Sequence, residues 1–341
     1  MKKNQSSLKI QKKRAFIIDK IREFFKNRGF LEVQTPIFVK LPGMEPYLNP
    51  LPYEFSDEKS RKHRGYVITS PEYSLKKLLS RGFPKLFEMT KVFRQNESFG
   101  GWHNPEFTMI EWYRPHSNYR KIMQDTEELV CLLARALYHK EQITYNRQKI
   151  NLSRPWPKIS VKQAFRKYAG INLDEAETLK DFKKQVKISL PRNANWDDIF
   201  YAVFLNQIEP NFPKNKPIIV YDYPLPQAAL AKKTPRLRSG QESFYAERFE
   251  LYVAGMEIAN SFSELTDWKE QLKRLTKERE LRRKLGKDVY DIDKDFIQAL
   301  KSRMPETGGI ALGIDRLQMI LLNIKDINDL LLFPAKELFK D

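Results

Sequence analysis

An arginine that closes one extended stretch and a phenylalanine that opens the next are the first residues whose types and spacing could do chemistry. Phe93-Arg94 ends a run that reads as a strand over 85–93, and Asn104-Pro105-Glu106-Phe107-Thr108 opens a second over 106–114, with a loop rich in Gly, Asn and Ser between them. A guanidinium fixed at a strand end suits bidentate contact with a carboxylate or phosphate, and an aromatic ring on the facing strand can stack on a purine. Taken singly, such an arginine is more often a surface residue and such a phenylalanine a core residue. A second set is acidic: Glu250, Glu257 and Glu264 recur every seven residues through a stretch that reads as extended, with a turn at Ala254-Gly255. Carboxylates repeated in this way can hold a divalent cation and a substrate ammonium, although solvated strand residues would look the same. None of the 13 glycines forms a Gly-x-x-x-x-Gly-Lys or Gly-x-Gly-x-x-Gly loop, so a nucleotide would have to be gripped by the strand chemistry instead.

The elements that would position these groups follow from periodicity. Apolar residues Ala15, Phe16, Ile18, Ile21, Phe24 and Phe25 predict a helix over 12–28, stopped by Gly29, followed by a short extended piece at 30–33 that ends at Pro36. Ser70 can cap a helix over 71–81 with Pro71 in its first turn. A helix is expected over 119–138, then a connector over 139–158 broken by Pro155 and Pro157, then a largely helical segment at 160–216. Extended structure returns at 217–222 and 244–262, two polar helices at 267–286 and 291–302 follow, and a Gly-rich strand at 308–313 runs into a last helix from 314 to 323.

With 341 residues the chain can bury a large core, and 41% hydrophobic with 30% charged residues is the composition of an ordinary globular protein. The single cysteine, Cys131, excludes an intramolecular disulfide and any multi-cysteine zinc site, and its apolar neighbours place it inside a helix. No signal-peptide pattern and no membrane-spanning apolar run occur, so a cytoplasmic protein with no membrane partner is expected. The net charge of +18 favours an acidic partner. The basic residues concentrate at Lys2–Lys26, at Lys232–Arg238 and at Lys269–Lys287, although solvated helix faces would produce the same count.

The residues around Arg94 and Phe107 resemble a known motif. Phe93-Arg94 followed by His103-Asn104-Pro105-Glu106-Phe107-Thr108-Met109-Ile110-Glu111 resembles motif 2 of lysyl-type class II aminoacyl-tRNA synthetases; Arg28-Gly29-Phe30-Leu31-Glu32-Val33-Gln34-Thr35-Pro36 resembles motif 1; and Ala311-Leu312-Gly313-Ile314-Asp315-Arg316-Leu317 resembles motif 3. The lysine type rests on Thr69-Ser70-Pro71-Glu72-Tyr73 and on Met256-Glu257-Ile258-Ala259-Asn260-Ser261-Phe262-Ser263-Glu264-Leu265. The resemblance implies an α+β catalytic core with an antiparallel sheet flanked by helices, covering the whole chain and carrying a mainly helical insertion at about 150–216. It implies ATP as co-substrate and Mg2+ held by Glu250 and Glu257. Arg94 would contact the substrate carboxylate and the α-phosphate, while Phe107 and Arg316 would sandwich adenine, with His103, Asn104, Ile258 and Gly313 also in the ATP site. Glu72, with Ser70 and Pro71, would take the substrate amino group; Glu264 and Tyr113 would bind the distal ammonium, beside Asn260 and Ala311. Because the loop after Arg94 is one residue longer than the family pattern, either Asn96 or Glu97 could contact the adenine amino group. Ser261 stands where the family commonly has glycine.

Lysyl-tRNA synthetases carry an anticodon-binding OB-fold barrel ahead of motif 1, whereas here the motif 1 helix lies within the first thirty residues. That arrangement resembles the stand-alone paralogues that attach lysine to elongation factor P, as do Tyr113-Arg114-Pro115-His116 and Ala311 at a position where the synthetases usually have glycine. The resemblance then implies a homodimer that activates (R)-β-lysine or lysine and transfers it to elongation factor P, with tRNA not expected as acceptor. Two alternatives stay open: an enzyme that uses a tRNA or another amine as acceptor, and a catalytically silent regulatory paralogue. The presence of Arg94, Glu250, Glu257 and Arg316 argues against silence.

Overall fold

The computed structural model describes residues 2–235 and 243–340, with side chains from residue 7 onward. Arg236 and Arg238 of the second basic concentration lie outside the described residues, as does Met1. The chain divides into two compact units. One takes the chain up to Ser117, the piece Thr144–Asn146 and everything from Thr266 on; the other is Asn118–Ile143 with Arg147–Leu265.

In the first unit four strands lie in the order Leu31–Glu32, Leu86–Phe93, Glu106–Pro115, Thr307–Gly313. The first pair is parallel and the others antiparallel. One face of these strands is covered by the helix Lys2–Lys26. Its buried stripe is Ile17, Ile21, Phe24 and Phe25, spaced for one helical face. Phe25 packs on Phe87 and Trp112 with ring centroids 5.0 Å from each. Burying an aromatic of this size contributes about 1.5–3 kcal/mol, so this cluster fixes the helix to the strands. Ala15 and Phe16, expected on the same stripe, are exposed, because the stripe turns one position further round. Asp315 completes the clamp: its Oδ1 accepts from Arg14 Nη2 at 2.9 Å and its Oδ2 from the Thr108 backbone N–H at 2.6 Å.

A three-stranded sheet of Phe38–Val39, Lys62–Val67 and Leu51–Ser56, in that order, was not anticipated. Leu51–Ser56 is almost wholly exposed, and the central strand Lys62–Val67 is exposed and basic over its first half and buried over its second, so neither carries an inside-outside alternation to read. The helix Glu72–Ser80 has Pro71 as its N-cap, and Ser70 Oγ accepts from the Glu72 backbone N–H at 3.1 Å. The helix Trp268–Lys284, expected to be polar, nevertheless buries Arg282, whose Nη1 donates to the carbonyls of Glu45 at 2.8 Å and Leu48 at 2.9 Å.

The second unit has its own strands in the order Met256–Ser263, Tyr245–Val253, Ile218–Pro224, Lys158–Ser160, antiparallel except for the last pair. The helix Tyr119–Tyr138 is docked by two bonds of Tyr119, whose N–H donates to Ser263 Oγ at 3.0 Å and whose hydroxyl donates to Asp222 at 2.7 Å. Short helical pieces between Val161 and Asn211 pack an aromatic core in which Phe165, Phe200 and Phe204 stack in sequence, joined by Tyr223 and Tyr252. Cys131 is buried, its thiol donating to the Leu152 carbonyl at 2.9 Å and pushed up to about 11 by that burial. No helix among the described residues is long and apolar enough to cross a membrane.

Candidate active site

Along Glu106–Pro115, Ile110 and Trp112 point into the core under the Lys2–Lys26 helix, so Phe107, Met109, Glu111 and Tyr113 share the opposite face. The register places Gly313 across from Met109, Ala311 across from Glu111 and Gly309 across from Tyr113, lining that face with small residues. At one end Arg94 is fixed by its backbone N–H, which donates to the Pro105 carbonyl at 2.9 Å, and its guanidinium lies over the Phe107 ring at 5.1 Å. His103 Nε2 lies 2.9 Å from Arg316 Nη2 and 3.9 Å from the Glu97 carboxylate. Burial and then the Arg316 charge hold the imidazole below its usual range, so it is a neutral acceptor for that arginine. Asn96 is exposed on a turn with φ 62°, whereas Glu97 turns inward. Asn104 holds the loop in place, since its Oδ1 accepts from the Ala335 N–H at 3.0 Å and its Nδ2 donates to the Glu106 carbonyl at 2.7 Å. Both ends of its amide are engaged.

Further along the same face lies an acid that sequence reading left inside a motif without a role. Glu111 is buried, with its two oxygens accepting from Ser70 Oγ at 2.5 Å and Tyr113 Oη at 2.8 Å. Burial, and next the negative charge of Glu72, push its carboxyl up to about 8. Glu72, at the first turn of its helix, pairs with the buried Lys76 at 2.5 Å. Beside it opens a cavity of about 290 Å³ lined by Glu45, Ser70, Glu72 and Tyr73, among others. Glu45 is raised by burial and by Glu72, and Glu278 is pushed to about 8 by burial and by Glu45. Together with Lys76 and Arg274, these groups make a site with a surplus of carboxylates, which a cationic ligand would relieve. Glu45, Lys76, Glu111 and Glu278 were all missed. Sequence offered no signal for Lys76 and Glu278, which stand among other charged residues on their helices.

In the second unit the acidic residues sit on a hairpin. Tyr245–Val253 and Met256–Ser263 are joined at Ala254 and Gly255, both with positive φ, as a tight two-residue turn requires. Glu250 faces Asn260 directly and Tyr252 faces Glu257, while Ile258 is the extra residue of a bulge. The bulge resets the alternation, so Glu257 and Asn260, three apart, share the face of Glu250, and Ile258 is buried among apolar neighbours. Glu250 Oε1 accepts from Arg248 Nη2 at 2.5 Å, and its Oε2 accepts from Tyr223 and Tyr252 hydroxyls, each at 2.6 Å. Glu264 is buried just past the strand end, where its backbone bridges Ala231.

Magnesium is a hard cation that takes one or two protein carboxylates and fills its shell with phosphate oxygens and water. The hairpin fits that description: Glu257 shares a face with Glu250, which keeps roughly one of its about four acceptor positions after the three hydrogen bonds. Among the described residues no group of three or more His, Cys, Asp or Glu side chains could cage a metal alone.

A strand face with arginine and aromatic at one end and an enclosed acid at the other, together with a carboxylate hairpin, is chemistry of the kind class II synthetases perform. The model of class II tRNA synthetases for D, K and N matches residues 1–337, and the chain belongs to that family. Within it, the chain is 36% identical to an elongation factor P–(R)-β-lysine ligase of Haemophilus influenzae over 333 residues, covering 97% of this chain and 96% of that protein. A protein of the same name from Avibacterium paragallinarum is 36% identical over 338 residues, covering 98% of both chains. A lysine–tRNA ligase of Buchnera aphidicola is 37% identical over 336 residues, and there the match spans 97% of this chain but 64% of the ligase.

Proposed function

We propose that this enzyme activates (R)-β-lysine with ATP and transfers the acyl group to a lysine ε-amino group of elongation factor P. The observation that carries the reading is the order of groups on one strand face: Arg94 over Phe107, then, four residues on, Glu111 between Ser70 and Tyr113. Four residues of strand span about 14 Å, enough to place a purine and a phosphate at one end and an ammonium at the other. Glu97, rather than Asn96, is the residue we assign to the adenine amino group, because it turns inward toward His103.

In the first step a carboxylate oxygen of the amino acid attacks the α-phosphorus, the bond to pyrophosphate breaks, and Arg94 balances the charge that accumulates on the phosphoryl oxygens. Mg2+, held by Glu257 and Glu250, would neutralise the departing pyrophosphate. Glu72 and Glu264 receive the substrate's ammonium groups together with Tyr113 and Glu111, so that position rather than a protein nucleophile supplies the catalysis. In the second step the acceptor amine attacks the acyl carbon, AMP leaves, and the amine loses a proton. End-to-end matching with relatives named for elongation factor P, and Ala311 opposite Glu111, support this acceptor over tRNA.

The whole described chain serves as one catalytic domain in this reading, with the helical pieces between Val161 and Asn211 as its insertion. It works in the cytoplasm as a homodimer joined through the Lys2–Lys26 helix, which leaves Leu8 and Phe16 outward and exposed. Sedimentation as a lasting 40.5 kDa monomer would contradict the dimer.

Amino-acid-dependent ATP–pyrophosphate exchange with α-lysine and both β-lysine enantiomers, followed by intact-mass measurement of elongation factor P and a charging assay on bulk tRNA, tests the function. The expected result is exchange with the (R)-β enantiomer, one acyl adduct on the factor and little charged tRNA. Because the chain carries +18, the modification rate should fall as salt rises. Efficient tRNA charging with an unmodified factor would overturn the acceptor and leave the adenylate chemistry standing.

A further inference from the structure

The carboxylate hairpin is built unlike a simple pair of metal ligands, and the difference lies in Arg248. This residue is buried, and three of its nitrogens are committed: Nη2 donates to Glu250 Oε1 at 2.5 Å, Nη1 to the Gln227 carbonyl at 2.5 Å and Nε to Asn260 Oδ1 at 3.1 Å. Its guanidinium lies over the Tyr223 ring at 4.4 Å. The phenols that hold Glu250 Oε2 are equally fixed, since Tyr252 packs on Phe212 at 5.0 Å and both tyrosines belong to the aromatic core.

We infer that Arg248 is a positioning residue that locks Glu250 to Asn260, so that a carboxylate facing the metal and an amide facing the amino acid are held in one fixed arrangement. The inference rests on the reading that this hairpin serves magnesium-bound ATP and the amino acid. Its logic is one of committed valence. Glu250 has spent three acceptor positions on Arg248, Tyr223 and Tyr252. Asn260 turns its oxygen toward Arg248, so its amide N–H groups are the end it can offer a substrate oxygen. Only a planar fork can satisfy a carboxylate, an amide oxygen and a backbone carbonyl from one side chain; a lysine ammonium at this position cannot reach all three.

The test uses the full chain and four variants, with free Mn2+ followed by electron paramagnetic resonance in the presence of ATP, alongside KM and kcat in pyrophosphate exchange. Glu257→Gln and Glu250→Gln should each weaken Mn2+·ATP binding by about 10- to 100-fold, as loss of a ligand or of a group that orients one does. Arg248→Lys should leave Mn2+·ATP affinity within about 3-fold of wild type and raise KM for the amino acid about 10-fold, with kcat falling far less. Tyr223→Phe keeps the ring and removes one donor; it should move KM the same way by about 3-fold and serves as the probe if Arg248→Lys does not fold. Arg248→Lys losing metal binding as severely as Glu257→Gln would overturn the inference, as would an unmoved KM in both Arg248→Lys and Tyr223→Phe. A Glu257→Gln variant that binds Mn2+·ATP like wild type would instead sink the metal reading itself, and the inference with it.

Discussion

Glu111 and Glu250 are both buried glutamates accepting hydrogen bonds on each oxygen, yet their surroundings are opposite in charge. Glu111 accepts from the hydroxyls of Ser70 and Tyr113 and feels the negative charge of Glu72 more than the positive charge of Lys76, which is paired with Glu72, so no cation is bonded to it. Glu250 has a guanidinium built in beside it. A carboxylate with neutral donors is poised to receive a cation from solution, whereas one already paired organises its neighbours. The same side chain thus does two jobs, and the partner decides which.

The sharpest way to break this comparison is to neutralise the unpaired acid. Glu111→Gln should lower kcat/KM for the amino acid by about 10²–10³, because a buried charge partner is worth about 3–5 kcal/mol to the ion facing it, while ATP affinity changes little. Equal losses for both ligands would remove Glu111 from the ammonium site. A smaller effect, about 10- to 100-fold, is expected for Glu264→Gln, again larger for the amino acid than for ATP, since a neutral amide still fits the space. The smallest effect separates the two carboxylates by pH. With Glu111 raised to about 8, the unliganded protein holds a proton there at pH 7 that an ammonium must displace. KM for the amino acid should therefore fall by about 3- to 10-fold between pH 7 and 8.5 in wild type, and calorimetry at pH 7 should show proton release that is absent in Glu111→Gln. The corresponding stability follows the same sign: an acid whose folded value is raised favours the folded state below its unfolded value, and that contribution is lost as pH rises toward 8. Glu111→Gln should accordingly flatten the decline in Tm over that window, leaving the part that Glu278 contributes.

Much of this was legible in the chain itself, for reasons that can be named. The helix Tyr119–Tyr138 and the strands Leu86–Phe93 and Glu106–Pro115 stand almost where periodicity, capping and turn residues placed them, because the helix has an apolar face and the strands are short runs bounded by a loop rich in Gly, Asn and Ser. The sheet between Phe38 and Val67 was not legible, since its strands obey no alternation. Nor was the turn at Asn146 and Arg147, both at positive φ, where an arginine stands in place of the usual glycine. At the site, the acids were visible one by one, but their partners were not. Tyr223 is 27 positions from Glu250, and Arg248 looks from sequence like any strand-surface cation. Buried Lys76 and Arg282 were concealed for the same reason: a charged residue in a helix reads as solvated until its acceptors are known.

The bulge at Ile258 has a further consequence. A β-strand is a two-phase ruler, and one surplus residue is a phase shift that leaves everything on either side internally unchanged. The Glu257 end and the Asn260–Glu264 end of this strand are therefore independently adjustable: a one-residue deletion at the bulge would invert one end relative to the other without altering the composition of either. Under the proposed roles, substitutions tuned for the amino acid can accumulate on the far side of the shift while the phosphate-side register is preserved, so a hairpin of this kind can change what is activated and keep how it is activated.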